Sequence, residues 1–265
     1  MDRSDYTRAN RKAWNQAAPI HERARFEELL AGFRTPGYSC LDPVETAVLE
    51  RIGVRGKAVA QLLCNNGREL LSVKNLGAGR CVGFDIADAF LEQAHRLAEA
   101  GGIDCEFVAG DVYEIPAAYD GAFDLVTVTI GALCWLPDLP ALFARMKRLL
   151  GPGGTVFLYE MHPFLDMLDP EDREDPLRIH FSYFMTEPYE DLSGLDYYGN
   201  TSYESAPKYW FHHRLADVVG GLLREGFAVV EFDEHPHDIS NVFAHLEGVG
   251  TQPPLCYTLV ARLPG

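Results

Sequence analysis

Between residues 58 and 160, short apolar runs alternate with amphipathic stretches, and this rhythm predicts alternating strands and helices. Residues 59–64 are an apolar run of the length of a buried strand, Gly67 follows, and a helical stretch covers 69–76. Residues 81–85 form a second strand ending in an acid. Over 88–100, Phe90, Leu91, Ala94, Leu97 and Ala98 recur on one helical face. A third strand over 105–109 stops before Asp111, and a fourth covers 123–129. A helix over 138–150, a turn at Gly151, Pro152, Gly153 and Gly154, and a fifth strand over 155–160 complete the series. Consecutive strands joined by helical crossovers lie parallel, because only a crossover returns the chain to the same end of the sheet. In such a doubly wound sheet the ligand sits beyond the carboxyl ends of the strands. Cys64, Asp85, Asp111 and Thr129 all fall there.

The flanks carry a different pattern. Residues 1–35 read as helical, with Trp14, Ile20, Phe26, Leu29 and Leu30 as apolar contacts, until Thr35, Pro36 and Gly37 break the pattern. A short helix covers 43–53. Residues 162–210 hold acids, prolines and aromatics without a long periodic segment, and half of the net negative charge. An irregular stretch this long inside a domain reads as a functional cap, and its aromatic content argues against disorder. A helix over 214–225 and strands over 227–232 and 256–261 end the chain. The predicted fold is α/β: a doubly wound sheet, mostly parallel with an antiparallel C-terminal strand, preceded by N-terminal helices. The expected divisions are an N-terminal helical lid (1–40), a ligand-binding core (41–161), a substrate cap (162–210) and the C-terminal part of the core (211–265).

The formal net charge of −16 narrows the partners. Such a surface repels phosphate backbones and anionic lipid, so neither nucleic acid nor membrane is expected. No apolar run approaches the roughly 20 residues of a membrane helix, the first residues lack a secretory signal, and a cytoplasmic protein is expected. Six scattered cysteines with no CxxC pair suggest neither a disulfide framework nor a zinc site. His235 and His237 beside Glu234 and Asp238 have no second ligand pair at telling spacing, and no metal is expected.

Four segments carry a resemblance. They are Gln61 to Gly67 after the first strand, Asp85 at the end of the second, Gly110-Asp111-Val112 after the third, and Phe123 to Leu136 with the later Leu150-Gly151-Pro152-Gly153-Gly154. In this order they resemble the class I S-adenosylmethionine-dependent methyltransferases of small-molecule type. The resemblance covers 58–160 well and the last helix and two strands moderately. It implies a Rossmann-like core, S-adenosylmethionine as cofactor, and methyl transfer to O, N, S or C of a small, possibly aromatic, acceptor. It also implies roles: Cys64, Asn65 and Gly67 in the cofactor turn, Asp85 and Ile86 at the ribose, and Asp111 and Val112 at the adenine. Thr129 and Ile130 lie near the methionine arm, and Trp14 is on a helix packed over the cofactor. This chain departs from the family at Gln61, where an acid is usual, and at Leu63 and Asn65, where glycines are usual. Asparagine tolerates the left-handed backbone, so Asn65 or Asn66 is expected to supply the turn.

A hydroxyl acceptor benefits from a general base, and His162, His212 and His213 are the candidates. Tyr183, Tyr197, Tyr203, Tyr209 and Trp210 are the candidate acceptor wall. Two other readings stay open: a non-catalytic protein that keeps the fold, and an NAD-dependent oxidoreductase, against which stand Asp111 and the lack of a GxGxxG turn.

Overall fold

The computed structural model describes residues 1–196, 198 and 201–264. Its center is a seven-stranded sheet of β1 (Val59–Leu62), β2 (Cys81–Asp85), β3 (Glu106–Ala109), β4 (Phe123–Thr129), β5 (Leu150–Met161), β8 (Ala228–His235) and β9 (Cys256–Arg262), in the order β3-β2-β1-β4-β5-β9-β8. The first five pair in parallel; β9 runs antiparallel to both of its neighbors. The order turns outward on either side of β1 and β4, so their carboxyl ends flank the switch point.

Alternating side chains divide the core into two halves, as the period-2 geometry of strands requires. Ala60, Leu62, Val126, Val128, Val156 and Leu158 face one side, where α6 (Leu139–Leu149) and α7 (Leu215–Arg224) supply Leu142, Phe143, Met146 and Leu222. Val59, Leu125, Phe157 and Val260 face the other. There α2 (Glu27–Phe33), α3 (Pro43–Arg51), α4 (Arg68–Asn75) and α5 (Asp88–Gly101) bring Phe33, Leu49, Leu70 and Leu97. The glycines at 151, 153 and 154 do not form a separate turn. They lie in the first part of β5, where Leu150 pairs with Phe123 and the register then shifts.

The N-terminal helix α1 (Arg3–His21) begins with a capping box between Asp2 and Asp5. Pro19 lies inside it, and a π turn over Glu22–Phe26 follows before α2. Within 162–210 the chain forms a two-stranded antiparallel sheet of β6 (Tyr189–Ser193) and β7 (Glu204–Trp210). This hairpin docks on α1 through the buried Asn10. The Asn10 Nδ2 donates to the carbonyls of Tyr209 (2.8 Å) and Trp135 (3.2 Å), and its Oδ1 accepts from the Tyr209 N–H (2.7 Å). Gln16 Oε1 accepts from the Ala206 N–H at 2.7 Å.

Asn10→Ala strands those backbone groups in a buried seam. A loss of about 2–3 kcal/mol is expected, which for a chain of this size lowers Tm by about 5–10 °C. Scanning calorimetry checks it; a shift under about 1 °C would deny the clamp its role.

Candidate active site

A cavity of about 330 Å³ opens at the switch point. Trp14, Asn65, Asp85, Ile86, Asp111, Val112, Thr129 and Ile130 all line it, so eight of the ten residues expected at a cofactor meet in one place. Cys64 and Gly67 are not on the wall. Cys64 is fully buried in the core beneath, because its side chain points to the opposite side of the turn from its neighbors. Gly67 caps the N-terminus of α4 with a left-handed backbone (φ +70°). A Cβ there would lie 2.5 Å from the Phe107 ring, so both the conformation and the packing need glycine.

The turn after β1 keeps a left-handed residue at every second position: Leu63 (φ +54°), Asn65 (φ +49°) and Gly67 (φ +70°). Asn65 supplies the turn as its chemistry suggests; Leu63 does so against its own preference, at a cost of roughly 1–2 kcal/mol. Ile130, at the end of β4, is left-handed too (φ +56°). All three of these non-glycine positions line the cavity, a clustering of strain typical of functional sites.

Asp85 fastens this turn. Its Oδ2 accepts from the Asn65 N–H at 2.7 Å and its Oδ1 from the Ala87 N–H at 2.8 Å. Burial pushes its carboxyl up to about 6, against the opposing pull of those N–H groups. Each oxygen has lone-pair capacity left for a ligand hydroxyl. Asp111 caps a short turn through Oδ1 and the Tyr113 N–H (3.0 Å). Gln61 stands behind the wall, giving its Nε2 proton to Thr129 Oγ1 at 2.9 Å, while its Oε1 is buried and unpartnered among the described residues.

Sequence reasoning missed Glu160 at the end of β5. Its carboxylate accepts from the Ala132 and Leu133 N–H groups at 2.9 and 3.1 Å, and burial pushes it up to about 7. It holds in place the loop through which Ile130, Gly131 and Ala132 reach the cavity.

The three histidines are placed elsewhere. His162 accepts the Phe164 N–H at Nδ1 (3.1 Å), so its Nε2 proton points to Glu234 (2.9 Å). His212 bonds Asp166 at 2.9 Å and His213 the Leu136 carbonyl at 2.8 Å. None lines the cavity, and burial lowers the pKa of His162 and of His213. In this structure all three fasten segments outside that cavity, and His212 keeps a buried Nε2 with no partner among the described residues.

Four of the five aromatics expected at the acceptor wall make contacts away from the cavity. Tyr183 accepts from the Leu215 N–H, Tyr203 from the Leu195 N–H, Tyr209 donates to Glu190, and Trp210 stacks on Tyr189 at 3.9 Å. These four build the hairpin and its seams, and Tyr197 lies outside the described residues. From the 162–210 segment it is Leu195 and Tyr198 that line the cavity among the described residues, and Leu195 shares an apolar cluster with Trp14 and Trp135. Arg68, missed in the sequence, lines it as well, paired with Glu69 (2.6 Å) and donating to the Tyr198 hydroxyl (2.8 Å). A second cavity of about 250 Å³ adjoins, sharing Arg68, Glu69, Ile130 and Tyr198.

A doubly wound sheet with a carboxylate at the end of β2, another after β3 and a ligand-sized cavity at the switch point is the arrangement in which α/β folds take a small-molecule ligand. Residues 59–154 match the family described as a methyltransferase domain. An uncharacterized protein of Haemophilus influenzae is 20% identical over 234 residues, 83% of this chain and 87% of that one. Demethylmenaquinone methyltransferase of Thermus thermophilus is 33% identical over 108 residues, 40% of this chain and 48% of the relative. The chain spans about half the length of several curated relatives that it matches. The fold is that of a putative S-adenosylmethionine-dependent methyltransferase from Listeria monocytogenes (TM-score 0.61, 15% identity, 83% of this chain and 98% of that one). Residues 59–154 thus carry a methyltransferase-domain pattern, and the chain has the fold of solved S-adenosylmethionine-dependent methyltransferases.

Proposed function

We propose that this protein transfers the methyl group of S-adenosylmethionine to an O, N, S or C atom of a small molecule. The observation that carries this is the shared wall: Asp85 and Asp111 meet the end of β4 in one cavity, which continues to Leu195 and Tyr198 beyond. The residues present suit the cofactor. Asp85 retains acceptor capacity toward the cavity, and the left-handed turn survives at Leu63 and Asn65. A cavity of about 330 Å³ is within the range of small-molecule sites.

The cofactor supplies a methyl group already activated on sulfonium, so alignment of the acceptor provides much of the rate. Asp85 would hold the ribose and Asp111 the adenine amino group. Ile130 and Thr129 shape the end of β4, and Glu160 keeps that loop from shifting. Trp14 and Trp135, edge to face at 5.1 Å, exclude water beside them. In this reading 1–40 is a lid, 41–161 the cofactor core, 162–210 the acceptor cap and 211–265 the completion of the core. The demethylmenaquinone relative acts on a small molecule, which agrees with the acceptor class. No helix among the described residues is long and apolar enough to cross a membrane. A cytoplasmic setting is part of the proposal, supported by six free thiols.

Calorimetry is the test. S-adenosylmethionine and S-adenosylhomocysteine should bind and NAD should not; binding of NAD alone would sink the proposal. Asp111→Asn, which keeps an acceptor oxygen, should weaken S-adenosylmethionine by less than about tenfold, and Asp111→Ala by more. Equal affinity in wild type and Asp111→Ala would remove the adenine assignment.

A further inference from the structure

The second cavity lies between α2, α3, the start of α4 and the loop after β8, and it is lined by Asp42, Glu45, Glu69 and Asp238 beside Arg25, Arg68 and His237. The two cations are already engaged. Arg25 pairs with Glu28 at 3.0 Å, and Arg68 pairs with Glu69 at 2.6 Å. Asp42 accepts from the Glu45 N–H as the cap of α3. Glu45 is 2% exposed, and its carboxyl has no hydrogen bond or ion pair among the described residues. Asp238 accepts from the Ser240 hydroxyl at Oδ1, while its Oδ2 is buried without a partner among them.

A buried carboxyl without a partner is costly, and native proteins rarely keep one without a ligand or a task. Resting on the methyltransferase reading, we propose that this cavity receives the protonated amine of the methyl acceptor, with Glu45 as its carboxylate partner. An ammonium brings three donors and a positive charge to a wall that offers unspent acceptors. A neutral apolar group would leave Glu45 stranded, and an anion would be repelled by Asp42, Glu69 and Asp238. With the cavity empty, burial and the neighboring Glu69 and Asp42 hold Glu45 well above the usual carboxyl range; an arriving cation reverses that balance. The ammonium anchors the acceptor in the smaller cavity. The shared wall at Ile130 and Tyr198 leads the rest of the molecule toward Trp14 and Trp135. The net charge of −16 adds a long-range attraction for cations.

An ammonium has two possible sources here, the acceptor and the amino-acid end of the cofactor, and the experiment separates them. Calorimetry on the full chain saturated with S-adenosylhomocysteine uses phenethylamine, tryptamine and putrescine as probes, with phenylethanol as the uncharged match. At least one amine is expected to bind about tenfold or more tighter than phenylethanol, a ratio that Glu45→Gln abolishes. The same variant should keep its S-adenosylhomocysteine Kd within about twofold of wild type. Equal binding of amines and alcohol, or an amine preference that survives Glu45→Gln, overturns the proposal. A tenfold loss of S-adenosylhomocysteine affinity in Glu45→Gln would give the ammonium to the cofactor and overturn it too. Should Glu45→Gln fail to fold, Asp238→Asn is read by the same standards. A wild-type chain that binds no S-adenosylhomocysteine is a separate result, which refutes the methyltransferase reading itself.

Discussion

Replacing Asp85 by alanine is expected to weaken S-adenosylmethionine binding by about ten- to a hundredfold, because a charged hydrogen bond contributes roughly 1.5–3 kcal/mol. The loss has two parts. The ribose acceptor disappears, and the Asn65 N–H loses the oxygen that fixes the turn. The pH profile is a second readout of Asp85, with the Asp85→Ala variant as its reference. Its carboxyl titrates near 6, so wild-type affinity should rise as pH increases from 5 to 7 and then level off. The ligand-free protein responds with the opposite sign. A carboxyl whose folded pKa is raised above the ordinary 3.8 favors the folded state in its protonated form. Its contribution to stability is therefore fully present below about 3.8 and is lost as pH rises through about 6. Binding improves across the interval in which ligand-free stability declines. A folded Asp85→Ala protein with wild-type affinity and an unchanged pH profile would take Asp85 out of the site.

Gly67→Ala should be the most damaging single-methyl change in the turn. The left-handed backbone charges any L side chain roughly 1–2 kcal/mol. The new Cβ also meets Phe107 at 2.5 Å and Ala94 at 3.0 Å, and overpacking of this kind typically costs about 1–3 kcal/mol more. A loss of about 2–5 kcal/mol in urea unfolding is expected. Asn65→Gly is the control: it removes a side chain at an equally left-handed position and should change stability by less than about 1 kcal/mol. A Gly67→Ala protein as stable as wild type would show that the turn has another way to close.

Most of the sheet was legible in the sequence for a specific reason. The strands at 81–85 and 123–129 are apolar runs buried on both sides, bounded by turn residues, and the structure gives them the same limits. Local chemistry at residues 151–154 favors a turn; pairing of Leu150 with Phe123 draws them into β5 instead. The hairpin of β6 and β7 carries no clean alternation, since both strands mix charged and aromatic residues and only β7 is buried against α1. At the site, Asp85 and Asp111 were readable because strand ends locate them. Tyr198, Arg68 and Glu45 were not, since nothing local says that a tyrosine in an irregular segment, or a charge in the first turn of a helix, faces a cavity. The histidines show the converse. Their chemistry draws attention to them, whereas the bonds they make are to carbonyl, carboxylate and N–H partners outside the cavity, with His212 Nε2 left without a partner among the described residues.

The Asn10 clamp has a kinetic consequence. Both α1 and the 189–210 hairpin border the main cavity, and Asn10 with Gln16 joins them by three hydrogen bonds. Swinging α1 away alone would break those bonds in a dry seam, whereas swinging both elements together leaves all three intact and breaks the bonds of the pair to Trp135, Cys134 and α5. The cheaper motion is the joint one. The two elements are therefore expected to move as one piece when ligands exchange, and loosening the seam should change residence times without touching a ligand.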